Sequence, residues 1–106
     1  MNCFERVKKF LETIEDEHIH FKEHFYERSM DRPISEELVR RTIKNASRLL
    51  TVEEQPAKKA TEKKYKLWLK LSNRYNLVTI IIIEEKDLYI ITGWNSDRKW
   101  QKAIQK

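Results

Sequence analysis

Four basic or titratable side chains recur at a spacing of four: His20, His24, Arg28 and Arg32. On a helix each step of four turns about 400°, so successive members drift by only ~40°. Two imidazoles and two guanidiniums would then share one stripe. Imidazole suits proton transfer because its pKa lies near neutrality. Guanidinium suits phosphate because its planar fork matches two oxygens. Metal-independent RNA cleavage needs these groups: a base for the 2′-hydroxyl, an acid for the leaving 5′-oxygen, and cations for the charged phosphorane. Phosphate binding without chemistry, or an ordinary solvated helix face, would use the same pattern. A histidine pair at spacing four also suits a metal ion, and Glu23 and Glu27 flank this one. No third ligand joins it with convincing geometry, so neither metal nor organic cofactor is implied.

A second group lies further on. Lys66 and Lys70 alternate with Trp68 on one side of an extended run, where cations would attract nucleic acid and an indole would stack a base. Arg74 follows in a loop, and Trp94 offers a second stacking ring. The bland alternatives are a solvated lysine face and a tryptophan packed under helices.

The elements that must position these groups follow from periodicity. Phe4, Val7, Leu11, Ile14, His18, Phe21 and Phe25 alternate spacings of three and four, which predicts an amphipathic helix over residues 1–30 with Asn2 as its cap. Such a helix would be about 40 Å long, so its first turns could meet a partner, including a second copy of the chain. His18 interrupts the apolar stripe and reads as an edge histidine with a satisfied hydrogen bond. Pro33 ends the helix. Ser35 caps a second helix over 34–46, with Glu36 and Glu37 on its positive end and Leu38, Val39, Thr42, Ile43 and Ala46 inward.

From there the period becomes two. Strands are expected at 49–52, 65–71, 77–83 and 88–94, with a polar loop over 53–64, and 47–94 reads as an antiparallel sheet. Asn95-Ser96-Asp97 restarts a helix over 96–106. The fold class is therefore α+β: one domain over 1–106, two N-terminal helices on a four-stranded antiparallel sheet, and a short C-terminal helix.

Composition sets the outer bounds. The 106 residues carry a net charge of +5, unevenly placed. Residues 1–55 hold ten Lys and Arg against twelve Asp and Glu; residues 56–106 hold twelve against five. A basic second half favours an acidic partner, nucleic acid or protein. Cys3 is the only cysteine, which excludes an internal disulfide and a cysteine-built zinc site. The charged N-terminus does not read as a signal peptide, and the longest apolar run, Leu77 to Ile83, is far short of the ~20 residues a membrane helix needs. The expectation is a soluble, cytoplasmic protein without membrane contact. Gly93 is the only glycine, so no Gly-rich phosphate loop exists.

The run from His24 through Arg28, Arg32, Ile34 and Ser35 to Val39 resembles a motif of a small prokaryotic domain family of unknown function related to the RelE and BrnT toxins. The run Leu88 to Trp94, with Thr92, is similar to that group's closing strand. Pro33 departs from the family's usual glycine, Gly93 stands where a side chain is common, and residues 1–17 have no counterpart. The resemblance implies a RelE-like fold and a toxin-like endoribonuclease of a toxin–antitoxin pair. Such an enzyme cuts RNA, often mRNA on the ribosome, and is restrained by an antitoxin protein. It points to His24, Arg28, Arg32 and Thr92 as site residues, with His20 as a second imidazole. A non-catalytic module binding nucleic acid or protein through the same basic face is the alternative.

Overall fold

The computed structural model describes residues 2–23, 25, 26 and 34–97. Asn2 opens the first helix, α1 (Cys3–Thr13), by accepting a hydrogen bond from the Glu5 amide at 2.8 Å. The helix buries Val7 and Leu11, with Phe4 and Phe10 packed beside them.

It ends far short of residue 30. Ile14 is already extended (φ −69°, ψ 139°), and its amide closes the last turn on the Phe10 carbonyl. The local chemistry explains the stop. Glu12, Glu15, Asp16 and Glu17 gather at the negative end of the helix dipole, and no basic residue sits in the last turn to offset them. A 3-10 turn (Asp16–His18) leads into a short strand, β1 (Ile19–Phe21). Ile19 is buried and His20 exposed: Ile19 and Phe21 alternate with His20 at a period of two, and of these only Phe21 belongs to the helical stripe. The helical stripe expected through His20 is therefore not formed.

Helix α2 (Glu36–Lys44) lies within the expected 34–46. Ser35 caps it through the Leu38 amide at 3.0 Å, and Val39, Thr42 and Ile43 face inward. Arg40 ties α2 to the β1 region. Its guanidinium donates to the Asp16 carbonyl at 2.8 Å and lies 5.3 Å from the Phe21 ring centroid. A 3-10 turn (Ala46–Arg48) then enters β2 (Leu49–Gln55). β3 (Lys63–Lys70), β4 (Tyr75–Glu84) and β5 (Asp87–Asp97) follow.

The sheet has five strands in the order β1-β5-β4-β3-β2. β2 to β5 pair antiparallel, whereas β1 pairs parallel with β5 through Ile19↔Leu88, His20↔Tyr89 and Phe21↔Ile90. The α+β class holds, but the four-stranded antiparallel RelE-like sheet is replaced by a mixed one. β2 and β3 also reach into the segment expected as loop, because Glu53, Glu54 and the flanking lysines are charges tolerated on an edge hairpin. β5 continues through Ser96 to Asp97, paired with Asn76 and Tyr75, where a C-terminal helix was expected to start. The rest of that expected helix, 98–106, lies outside the described residues.

The β4–β5 connection is a two-residue turn, Glu85-Lys86, with Glu85 at φ 55°. That conformation costs a non-glycine residue about 1–2 kcal/mol.

Both helices cover one face of the sheet. Val7 and Leu11 of α1 and Val39 and Ile43 of α2 meet Leu67, Leu69, Leu77, Ile81, Leu88 and Ile90, each at most 1% exposed. Burying a side chain of this size contributes about 1.5–3 kcal/mol. No described helix is long and apolar enough to cross a membrane.

Candidate nucleic-acid interface

The sheet face turned away from the helices carries the chemistry. Strand alternation directs Tyr65, Leu67 and Leu69 of β3 into the core and Lys64, Lys66, Trp68 and Lys70 outward. Cross-strand register extends that outer face. Lys66 lies opposite Ile80, and Trp68 opposite Val78, which in turn lies opposite Trp94 of β5. The two tryptophans thus flank Val78 from either side, with their backbones about 10 Å apart, twice the interstrand spacing. Val78 is 2% exposed and stands apart from the helix-side core.

Lys66 unites the tryptophans. Its Nζ lies 4.9 Å from the Trp68 ring centroid and 5.6 Å from that of Trp94. Both tryptophans are half-buried. Lys64, Lys66 and Lys70 run along the strand over about 20 Å at 3.3–3.4 Å per residue. Beyond Lys64, the loop joining β2 and β3 bends over the same face, held by Thr61 donating to Glu84 at 3.2 Å. There Lys58, Lys59, Lys64 and Glu62, the last 3.9 Å from the Lys59 ammonium, border a cavity of about 260 Å³ whose apolar wall is Ile82 and Ile91.

The expected residues fall in different places. Lys66, Trp68 and Trp94 converge, with Lys70 exposed at the end of the same strand. Arg74 stands in the β3–β4 loop, 5.2 Å from the Tyr75 ring centroid. Thr92 is on this face but 7% exposed, and its carbonyl accepts from the Thr79 hydroxyl at 2.7 Å. Its hydroxyl is poorly placed to meet a substrate. His24, Arg28 and Arg32 lie outside the described residues.

His20 reaches the outer face at the opposite edge of the sheet, not from a helix. It stacks on Tyr89, with centroids 5.0 Å apart and planes at 26°. Its Nε2 lies 3.0 Å from Asp87 Oδ1, the same oxygen that meets His18 Nδ1 at 3.0 Å. The bond to His20, and next that to His18, holds the Asp87 carboxyl below its ordinary range. Lys22 Nζ lies 4.7 Å from the Tyr89 ring centroid.

His18, Lys22, Asp87 and Tyr89 were not among the expected site residues. His18 offered one signal, an imidazole in an apolar stripe. Asp87 carries no signal in the sequence, because a parallel pairing of segments 69 residues apart leaves no local trace.

The surroundings of this histidine pair are acidic: Glu15, Glu17 and Asp87 all lie near His18. A phosphate would have to approach past a carboxylate that already holds both imidazoles. The lysine–tryptophan patch presents the opposite, cations beside half-buried indoles. No family model, curated protein or solved structure matches the chain.

Proposed function

We propose that this protein binds single-stranded nucleic acid, RNA in the first place, across the outer face of its sheet. The observation that carries the reading is Lys66 poised over both Trp68 and Trp94, with Lys64 and Lys70 in line. Aromatic rings stack bases and lysines follow the phosphates, a combination suited to single strands because unpaired bases leave their faces open. The +7 excess of residues 56–106 adds long-range attraction.

Binding of a short fluorescent RNA, followed by anisotropy, tests it. Affinity should fall steeply between low and moderate salt, as counterion release requires. Binding that stays flat across that range would defeat the electrostatic half of the reading.

A metal-independent endoribonuclease, with an antitoxin as its protein partner and the cytoplasm as its place of action, is the second reading. The motif around His24, Arg28 and Arg32 supports it, together with one observation: His20 brings an imidazole onto the proposed binding face. The hold of Asp87 on that imidazole weighs against His20 as the reacting group. RNA cleavage in EDTA, lost in both His24→Ala and Arg28→Ala, is the outcome this second reading requires. RNA bound but intact under every condition leaves the binding module.

A further inference from the structure

At the Lys64 end of the outer face, the loop joining β2 and β3 closes over a cavity of about 260 Å³. We infer that this cavity takes one unstacked guanine base of a single-stranded RNA, read by the Glu62 carboxylate. The inference rests on the binding proposed above and adds a base preference to it.

Strand register builds the cavity. Glu62 directly precedes β3, two residues before Lys64, so alternation turns it to the outer face. Lys64 lies opposite Ile82 of β4. Between β4 and β5 the pairing passes from Ile81↔Ile90 to Ile80↔Thr92, which leaves Ile91 unmatched in a bulge. A bulge re-aims a side chain. Ile91 joins Ile82 as the apolar wall, while its neighbour Ile90 is fully buried in the helix-side core. Thr61 fastens the loop by donating to Glu84 at 3.2 Å.

Glu62 decides what the cavity can hold. Its side chain is only 16% exposed, and the Lys59 ammonium stands 3.9 Å away, too far for a hydrogen bond. Among the described residues this carboxylate accepts no hydrogen bond. A sheltered carboxylate with spare acceptor capacity repels a phosphate and selects a ligand that donates. Of the four RNA bases, guanine alone presents two adjacent donors, N1–H and the 2-amino group, on its Watson–Crick edge. One carboxylate accepts both, as it accepts the paired N–H groups of an arginine fork. Adenine and cytosine set an acceptor nitrogen beside their amino group, and uracil flanks its N–H with two carbonyls, so each would turn an acceptor toward Glu62.

Ile82 and Ile91 offer the ring an apolar surface. The volume lies below the ~300 Å³ at which pockets for drug-sized ligands begin, which suits a single base. Lys58, Lys59 and Lys64 border the cavity and would meet the flanking phosphates. Lys64 and Trp68 are four residues apart on β3, about 13 Å, so a strand stacked on Trp68 reaches the cavity within a few nucleotides. The competing explanation is a gap under the loop in which Glu62 only offsets the three lysines.

Anisotropy with fluorescent oligouridine, and with the same oligomer carrying one guanosine moved along its length, separates the two. Guanosine at one position should tighten binding by about fivefold or more over adenosine, cytidine or uridine there, the lower end of what a bidentate base contact is worth. Inosine, which lacks the 2-amino group, should lose most of that gain, a readout that needs no protein variant. In Glu62→Gln the preference should fall below about twofold, since the amide puts a donor where guanine needs an acceptor. Oligouridine bound with its expected salt dependence, but with no gain from guanosine at any position, would overturn the guanine pocket and leave the binding face standing. A preference that survives in Glu62→Gln would also overturn it. No binding of any oligomer at low salt would overturn the binding reading and this inference together.

Discussion

Strand β3 shows two faces built to opposite specifications. Inward, Tyr65, Leu67 and Leu69 are 5%, 0% and 0% exposed and lock the sheet to both helices. Outward, Lys64, Lys66 and Trp68 are only half-buried, and Lys70 is exposed. An aromatic ring on the inner face would serve packing alone. On the outer face Trp68 shares a lysine with Trp94 two strands away. The contrast teaches that stability and recognition are separable along a single strand, one residue apart.

That separation can be broken by substitution. The largest effect should come from the inner face: Leu67→Ala is expected to cost about 2–5 kcal/mol of stability, read from denaturant unfolding. RNA affinity of the fraction that remains folded should be unchanged. Trp68→Ala and Trp94→Ala should act the other way. Each is expected to weaken RNA binding by about 1–3 kcal/mol, the worth of one stacked base, measured by anisotropy at fixed salt. If either left affinity intact while lowering stability as much as Leu67→Ala, the outer face would be a second core and not a platform.

Smaller effects sharpen the outline of the platform. Lys66→Gln should lower the slope of log affinity against log salt by about 0.7, the share of one phosphate contact on a single strand. A slope unchanged in that variant would remove Lys66 from the phosphate path.

The smallest effect concerns Cys3, on the helix side. Burial first, and then the charge of Glu54, pushes its thiol up from the ordinary value, with Arg6 opposing. A raised value in the folded state means that the neutral thiol is favoured there. The contribution to stability is therefore present below the unfolded value and is lost as pH rises through the folded one. Alkylation of Cys3 by iodoacetamide at pH 8 should accordingly run slower in the folded chain than in the unfolded one. Equal rates would show that the thiol is not shielded.

Much of the frame was legible where a local signal decided it. Ser35, Glu36 and Glu37 marked the start of α2, and the alternation around Leu67 and Trp68 marked both faces of β3. The failures have a common cause. Ile19 and Phe21 follow a period of two, but Phe21 also fits the helical stripe, and three residues cannot outvote the heptads before them. The partner that decides the matter is β5, nearly seventy residues away. Likewise Asn95-Ser96-Asp97 has the composition of a helix cap, yet its first two residues pair with Leu77 and Asn76 of β4. Lys66, Trp68 and Trp94 were identifiable because alternation shows which side chains share a face. The His18–Asp87–His20 cluster was not, because it exists only once the parallel edge has formed.

The most direct test of the central claim is RNA binding by the intact protein beside the double variant Trp68→Ala/Trp94→Ala, measured over a range of salt. The account predicts that the variant keeps the salt slope set by its lysines while losing affinity at every salt concentration. Equal affinities for the two proteins, or no binding by either even at low salt, would contradict the claim that this sheet face is a nucleic-acid platform.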